Sequence, residues 1–185
     1  MGVADPAHRT HPGSSDLDHR QPARRSRFRV HQERLGRRHP AHVYALISDV
    51  SAISHWSPTA DGVSYDDGAG PWVGAWFSGT NRRDGKQWTT RSQVVQADPG
   101  SAFGFVVGGA EEGIVRWNWT FRPQGRGSLV RQSWQLLRLD PVLGSTRADL
   151  DALRRYMAGS AETTLAALAQ WIAELQPDAF SGSRS

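Results

Sequence analysis

Cysteine is absent from this 185-residue chain, and that single absence removes disulfides, thiolate metal sites and cysteine nucleophiles together and fits a reducing compartment. Long apolar runs are missing too. No window approaches the roughly 20 consecutive apolar residues of a membrane span, and no apolar core of a signal peptide is found near the start. The expectation is a cytoplasmic protein without stable membrane insertion. Lysine is nearly missing: Lys86 is the only one among 22 basic residues, so the arginine bias reads as a GC-rich coding sequence. Paired carboxylates, a nucleophile beside a base, a phosphate loop and clustered metal ligands are all lacking. Five of the seven histidines, His8, His11, His19, His31 and His39, lie early in the chain at irregular spacing. That spacing matches no ligand pattern, so no metal and no cofactor are assigned.

The formal charge is +4, but it is unevenly placed. Residues 1–39 hold nine arginines against Asp5, Asp16, Asp18 and Glu33, whereas the remaining 13 basic residues face 14 acidic ones. The body of the protein is therefore near neutral and carries no basic stripe interleaved with aromatics, which argues against nucleic acid as a partner. Residues 1–26 are rich in Pro, Ser, His, Asp and Arg without a hydrophobic period. They read as a disordered basic tail, because they cannot bury enough apolar surface to offset the entropy of ordering. One domain is expected over 27–176, with a short tail over 177–185.

What the chain does have is aromatic alternation. Five segments, Val73 to Asn81, Lys86 to Ala97, Ala102 to Val107, Ile114 to Arg122 and Leu129 to Leu139, each carry one to three large rings, at every second residue in Ala102 to Val107 and in Ile114 to Arg122, and read as strands with one buried side. One face collects Phe77, Trp88, Phe103, Phe105, Trp117, Trp119, Phe121 and Trp134. Asp84-Gly85, Asp98-Pro99-Gly100, Gly108-Gly109 and Gly125-Arg126-Gly127 supply the turns, and neighbours joined so tightly must be antiparallel. Earlier, Phe28 and Val30 mark a short strand from Arg27 that ends around Leu35 and Gly36. Pro40 opens a helix with Val43, Leu46 and Ile47 on one stripe, a second helical turn reaches His55 and Trp56, and a weak strand runs through Val63 and Tyr65.

After Pro141 the period becomes helical. Leu150, Leu153, Met157, Ala161, Leu165, Leu168 and Ile172 form one stripe, opened by the box Thr146-x-x-Asp149 and closed by Pro177. A helix from Arg147 to Gln176 would span about 45 Å, enough to cross a sheet diagonally. Gly159-Ser160 marks a place where it would kink. The fold class expected is α+β, in the order β-α-α-β6-α: a curved antiparallel sheet of about seven strands wrapped round a long C-terminal helix, with a hydrophobic cavity between.

The motifs His42-Val43-Tyr44-Ala45-Leu46-Ile47-Ser48-Asp49-Val50, His55-Trp56-Ser57-Pro58, Val73-Gly74-Ala75-Trp76-Phe77-Ser78-Gly79-Thr80-Asn81-Arg82, Trp88-Thr89-Thr90 and Asp98-Pro99-Gly100 carry a resemblance. With Met157 and Thr164-Leu165-Ala166-Ala167-Leu168 in the last helix, their order and spacing resemble the START-like (SRPBCC) superfamily, and within it the bacterial polyketide cyclase/dehydrase and lipid-transport branch. The resemblance covers about 27–175. It implies a helix-grip fold whose cavity holds a hydrophobic molecule, in a superfamily of enzymes, carriers and chaperone partners.

From the residues, the cavity should be lined by Phe77 and Asn81, by Trp88, Thr90 and Ser92, by Phe103 and Phe105, by Trp117 and Trp119, by Gln132 and Trp134, and by Met157. Each ring either touches a ligand or fills core beneath the helix. Trp56 reads as a plug closing one end. Asn81 bonds either a ligand carbonyl or a turn backbone. No catalytic residue is assigned: Asp49 reads as a helix cap, His55 as a surface histidine, Arg82 and Arg83 as solvated beside their hairpin, and Arg91 as outward-facing. Three functional readings follow. The first is a carrier-like binder of a polyketide-, lipid- or sterol-like molecule, monomeric or weakly dimeric. The second is a polyketide cyclase or aromatase acting by cyclisation or dehydration, and the third a stress or chaperone-partner module. The outward arginines Arg91, Arg116 and Arg131 oppose the third, which needs an exposed apolar sheet face.

Overall fold

Two sequence periods build the architecture of the computed structural model, which describes residues 27–30, 38–68, 70–140 and 146–175. Alternation gives β1 (Arg27–Val30), β2 (Ala60–Tyr65), β3 (Trp76–Arg83), β4 (Lys86–Asp98), β5 (Ala102–Val107), β6 (Val115–Gln124) and β7 (Gly127–Leu136). The helical period gives α1 (Pro40–Ser48) and α2 (Arg147–Glu174). The second helical element before the sheet is a 3₁₀ helix, Val50–His55, capped by Asp49, whose carboxylate accepts from the Ser51 backbone at 3.1 Å.

The seven strands form one antiparallel sheet in the order β1-β7-β6-β5-β4-β3-β2. The fold is the α+β helix-grip arrangement that the element order implied. Several boundaries move. Trp72 and Val73 are 53% and 64% exposed in the turn before β3, which starts at Trp76, and β7 ends at Leu136, leaving Leu139 outside it. A kink at Gly159-Ser160 is not seen as a break, since α2 continues through both. The tail over residues 1–26, the end of β1 near Leu35 and Gly36, and everything from Gln176 on lie outside the described residues.

Local chemistry fixes the register. Arg83 pairs with Lys86, so Asp84-Gly85 is a two-residue loop. Both residues adopt positive φ, 51° and 73°, the backbone twist that matches the strands on either side. On β3, a Cβ at Gly79 would lie 2.7 Å from Val63, so a bare backbone there lets β2 cross closely. Register shifts on β2/β3 between Asp61 and Ser64, and on β4/β5 between Val94 and Gln96, are bulges that bend the sheet.

One end of the concave face is packed solid. α1 lies on β5, β6 and β7, and the Tyr44 ring meets Phe103 and Phe121 edge-on at 6.4 and 5.9 Å. Burial pushes the Tyr44 hydroxyl above the usual tyrosine range. Tyr65 ties β2 to the end of α1 by donating to the Ser48 carbonyl at 2.8 Å, and burial raises its pKa as well. α2 opens with a reciprocal capping box in which Thr146 and Asp149 bond each other's backbone, a device worth about 1 kcal/mol. Its buried residues are Ala161, Thr164, Leu165, Leu168 and Ile172. All lie in its second half.

Candidate functional site

Beneath the first half of α2 the concave face is hollow. A cavity of about 260 Å³ lies there, close to the lower end of the ~300–1,000 Å³ range of small-molecule sites. Strand register assembles its wall in rows. Trp117 sits opposite Phe105 on β5 and Trp134 on β7, and Trp119 sits opposite Gln132. On the other side, Asn81 opposes Trp88, Gly79 opposes Thr90, and Phe77 opposes Ser92. Directly opposed residues share a face, so these pairs turn toward one space.

The cavity wall contains Phe77, Asn81, Trp88, Thr90, Ser92, Phe105, Trp117, Trp119, Gln132, Trp134 and Met157, with Trp56 at the 3₁₀ helix. Phe103 is the correction. It shares the concave face with Trp119, but α1 covers that part of the sheet, and its ring is 1% exposed against Tyr44. The Asn81 amide donates to the Thr90 hydroxyl at 3.0 Å, inside the wall, a side-chain partner that the sequence did not suggest. Trp56 meets Trp119 edge-on at 5.4 Å and is 5% exposed. His55 lies exposed on the outer side, its ring stacked on Trp171 at 5.0 Å. Arg91 also faces out, bridging Asp66 at 2.8 Å and lying over the Trp76 ring.

Several wall residues carried no clear sequence signal. Tyr156 and Ser160 descend from α2 and Thr59 comes from the link to β2, beside Leu153 of the predicted helical stripe and Ser57, Pro58 and Thr164 of the motifs named above. Arg83, expected to be solvated beside its hairpin, has a side chain 45% exposed, and its guanidinium also lies 4.3 Å over the Tyr156 ring where both line the cavity, because α2 passes over the β3–β4 hairpin. The charge at Arg83 and the alternation of β3 could have been combined to suspect this; the Tyr156 partner could not.

The chemistry of the wall is lopsided. Among the described residues Arg83 is its only charged side chain, no aspartate, glutamate or histidine joins it, and no cluster of metal-ligating residues occurs. Two deeply buried polar atoms, the Trp56 indole N–H and the Gln132 side-chain oxygen, have no hydrogen-bond partner among the described residues. A buried polar atom left unpaired costs about 1–3 kcal/mol. One is a donor and one an acceptor, and both residues adjoin Trp119. At the other end Trp88, Tyr156 and Arg83 are substantially exposed, so the cavity reaches solvent there.

Comparison with known proteins bears on the fold and the family. No curated protein matches the chain. Among solved structures, a polyketide-cyclase-like protein of Corynebacterium glutamicum is 26% identical, with 85% of this chain and 99% of that one covered at a TM-score of 0.54. A Thermus thermophilus protein is 18% identical at a TM-score of 0.61, covering 80% of this chain and 99% of its own. The di-domain ARO/CYC StfQ of the steffimycin biosynthetic pathway is 18% identical at 0.59, covering 79% of this chain and 52% of that protein. No helix of the described residues is long and apolar enough to cross a membrane. The sequence profile described as polyketide cyclase / dehydrase and lipid transport matches residues 27–172, and the chain belongs to that family.

Proposed function

We propose that the protein binds an apolar small molecule of one to a few rings in this cavity and acts as a carrier. The observation that supports this most directly is the wall itself: aromatic surface around an unpaired donor and an unpaired acceptor, with no carboxylate or imidazole among the described residues to move protons. A ligand hydroxyl or carbonyl at Trp56 and Gln132 would satisfy atoms that the fold leaves bare, while ring contacts supply affinity. The test is native mass spectrometry of protein purified without a tag from its own host, followed by denaturing extraction. A co-purifying aromatic or polyketide-like compound is expected. Empty protein that also shows no thermal shift with polycyclic aromatics, sterols or acyl chains would end this reading and favour action through the outer surface.

A cyclase reading rests on the family and on its ARO/CYC relatives. The cavity would fold a flexible chain into a reactive conformer, and the Tyr156 phenol beneath Arg83 is the group placed to assist. Loss of turnover in Tyr156→Phe, with ligand affinity retained, would establish it.

A further inference from the structure

The mouth of the cavity reaches solvent through a further recess. It continues into a second, open cleft of about 650 Å³ between the β3–β4 hairpin and the first half of α2. The two share Pro58, Thr59, Arg83, Tyr156 and Ser160 in their lining, so they adjoin one another. Charge separates them. The inner wall holds Arg83 alone, whereas the cleft gathers Arg82, Arg83 and Arg155 against one carboxylate, Asp84. This surplus is local, since residues 40–185 carry 13 basic against 14 acidic side chains.

The three arginines are not equally committed. Arg82 is bridged to Asp61 at 3.1 Å and bonds the Gln87 side chain. Arg83 approaches Asp84 only at 3.5 Å, through a carboxylate that is 86% exposed, and is held by its stacking on Tyr156. Arg155 has no ion pair among the described residues, while the next residue along α2, Arg154, is bridged to Asp151. Two cations at the mouth are thus available for an anion.

We propose that the ligand is an amphipathic anion, its ring body inside the cavity and its negative head group held in the cleft by Arg83 and Arg155. This rests on the binding reading above and adds the ligand's charge and orientation. The physics runs one way. An anion deeper inside, at the Trp56 and Gln132 end away from Arg83, would lose its hydration among aromatic, aliphatic and neutral polar groups, whereas at the mouth a guanidinium fork offers it paired, charge-assisted hydrogen bonds. The uncharged end then points toward Trp56 and Gln132.

Two fluorescent probes with one ring skeleton test this: anilinonaphthalene sulfonate and phenylnaphthylamine, which lacks the sulfonate. Each should displace the other from the wild-type protein. The sulfonate should bind the more tightly, with an affinity that falls as salt is raised. Arg155→Glu should weaken the sulfonate by about tenfold and leave phenylnaphthylamine within about twofold, Arg83→Gln should weaken the sulfonate by a similar factor, and Arg155→Lys keeps most of the sulfonate affinity. Both sites are partly exposed, and matched unfolding temperatures would show that the variants fold. Equal losses for both probes, no loss for either, or two probes that do not compete would overturn the proposal. If neither probe binds the wild-type protein, the binding reading falls first and takes this one with it.

Discussion

The two ends of the concave sheet face are made of the same kind of residue and do different things. At one end Tyr44, Phe103 and Phe121 interlock beneath α1; at the other Phe105, Trp117, Trp88 and Met157 surround empty space beneath the first half of α2. The rings do not differ, but their covers do. α1 lies directly on the strands, and the second half of α2 inserts Leu165, Leu168 and Ile172, whereas its first half keeps Leu153 and Met157 only partly buried. An aromatic face therefore becomes core or cavity according to how closely a helix approaches it, not according to its own composition.

The sharpest way to break this comparison is to truncate one ring at each end. Phe103→Ala should cost about 3–5 kcal/mol of stability in chemical denaturation, because its surroundings cannot collapse into the void. Trp88→Ala, at a residue 41% exposed, should cost under about 1 kcal/mol while weakening the binding of an apolar dye severalfold. Equal stability losses at the two sites would remove the distinction. Next in size, Leu168→Ala in the buried half of α2 should cost about 2–5 kcal/mol, and Met157→Ala in the other half about 1 kcal/mol, both read from the denaturation midpoint.

The remaining predictions sharpen the solid end. Tyr65→Phe removes the bond to the Ser48 carbonyl and should cost about 1 kcal/mol. Because burial raises the Tyr65 pKa above that of the unfolded chain, the stability it contributes is complete below about pH 10 and declines as pH rises beyond it. Tyr65→Phe should flatten that alkaline decline. The smallest effect belongs to Asp66, whose carboxyl the hydrogen bond from Arg91 holds below the usual range, with Ser78 adding a second bond. Its contribution is present above about pH 3.9 and fades as pH falls through the lowered value. Asp66→Asn should reduce the slope of the denaturation midpoint against pH in that acid range.

Alternation made the strands legible, and with them the face on which Trp88, Thr90, Ser92, Trp117, Trp119, Gln132 and Trp134 meet. The box at Thr146 and Asp149 made the start of α2 legible for an equally local reason, since capping is decided within four residues. Phe103 was assigned to the cavity because its phase matches that of Phe105, and no local signal records that α1 folds back over one of them and not the other. Arg83 and Tyr156 lie far apart in sequence and meet only because α2 crosses the hairpin. The pairing of β1 with β7 was equally silent. Strand pattern states that an edge exists, and only the completed curvature of the sheet decides what lies beside it.

That last pairing bears on how the chain is made. Arg27 is hydrogen-bonded alongside Gln135, more than a hundred positions later, so the outermost strand has no neighbour until nearly the whole sheet has left the ribosome. The helix that covers the ring-bearing face emerges later still. For most of synthesis the nascent protein thus presents two unpaired strand edges and a row of bare indoles and phenyls, the surfaces that invite self-association. Assembly of this fold is held open until its final helix arrives, and a truncation upstream of α2 leaves the ring-bearing face uncovered.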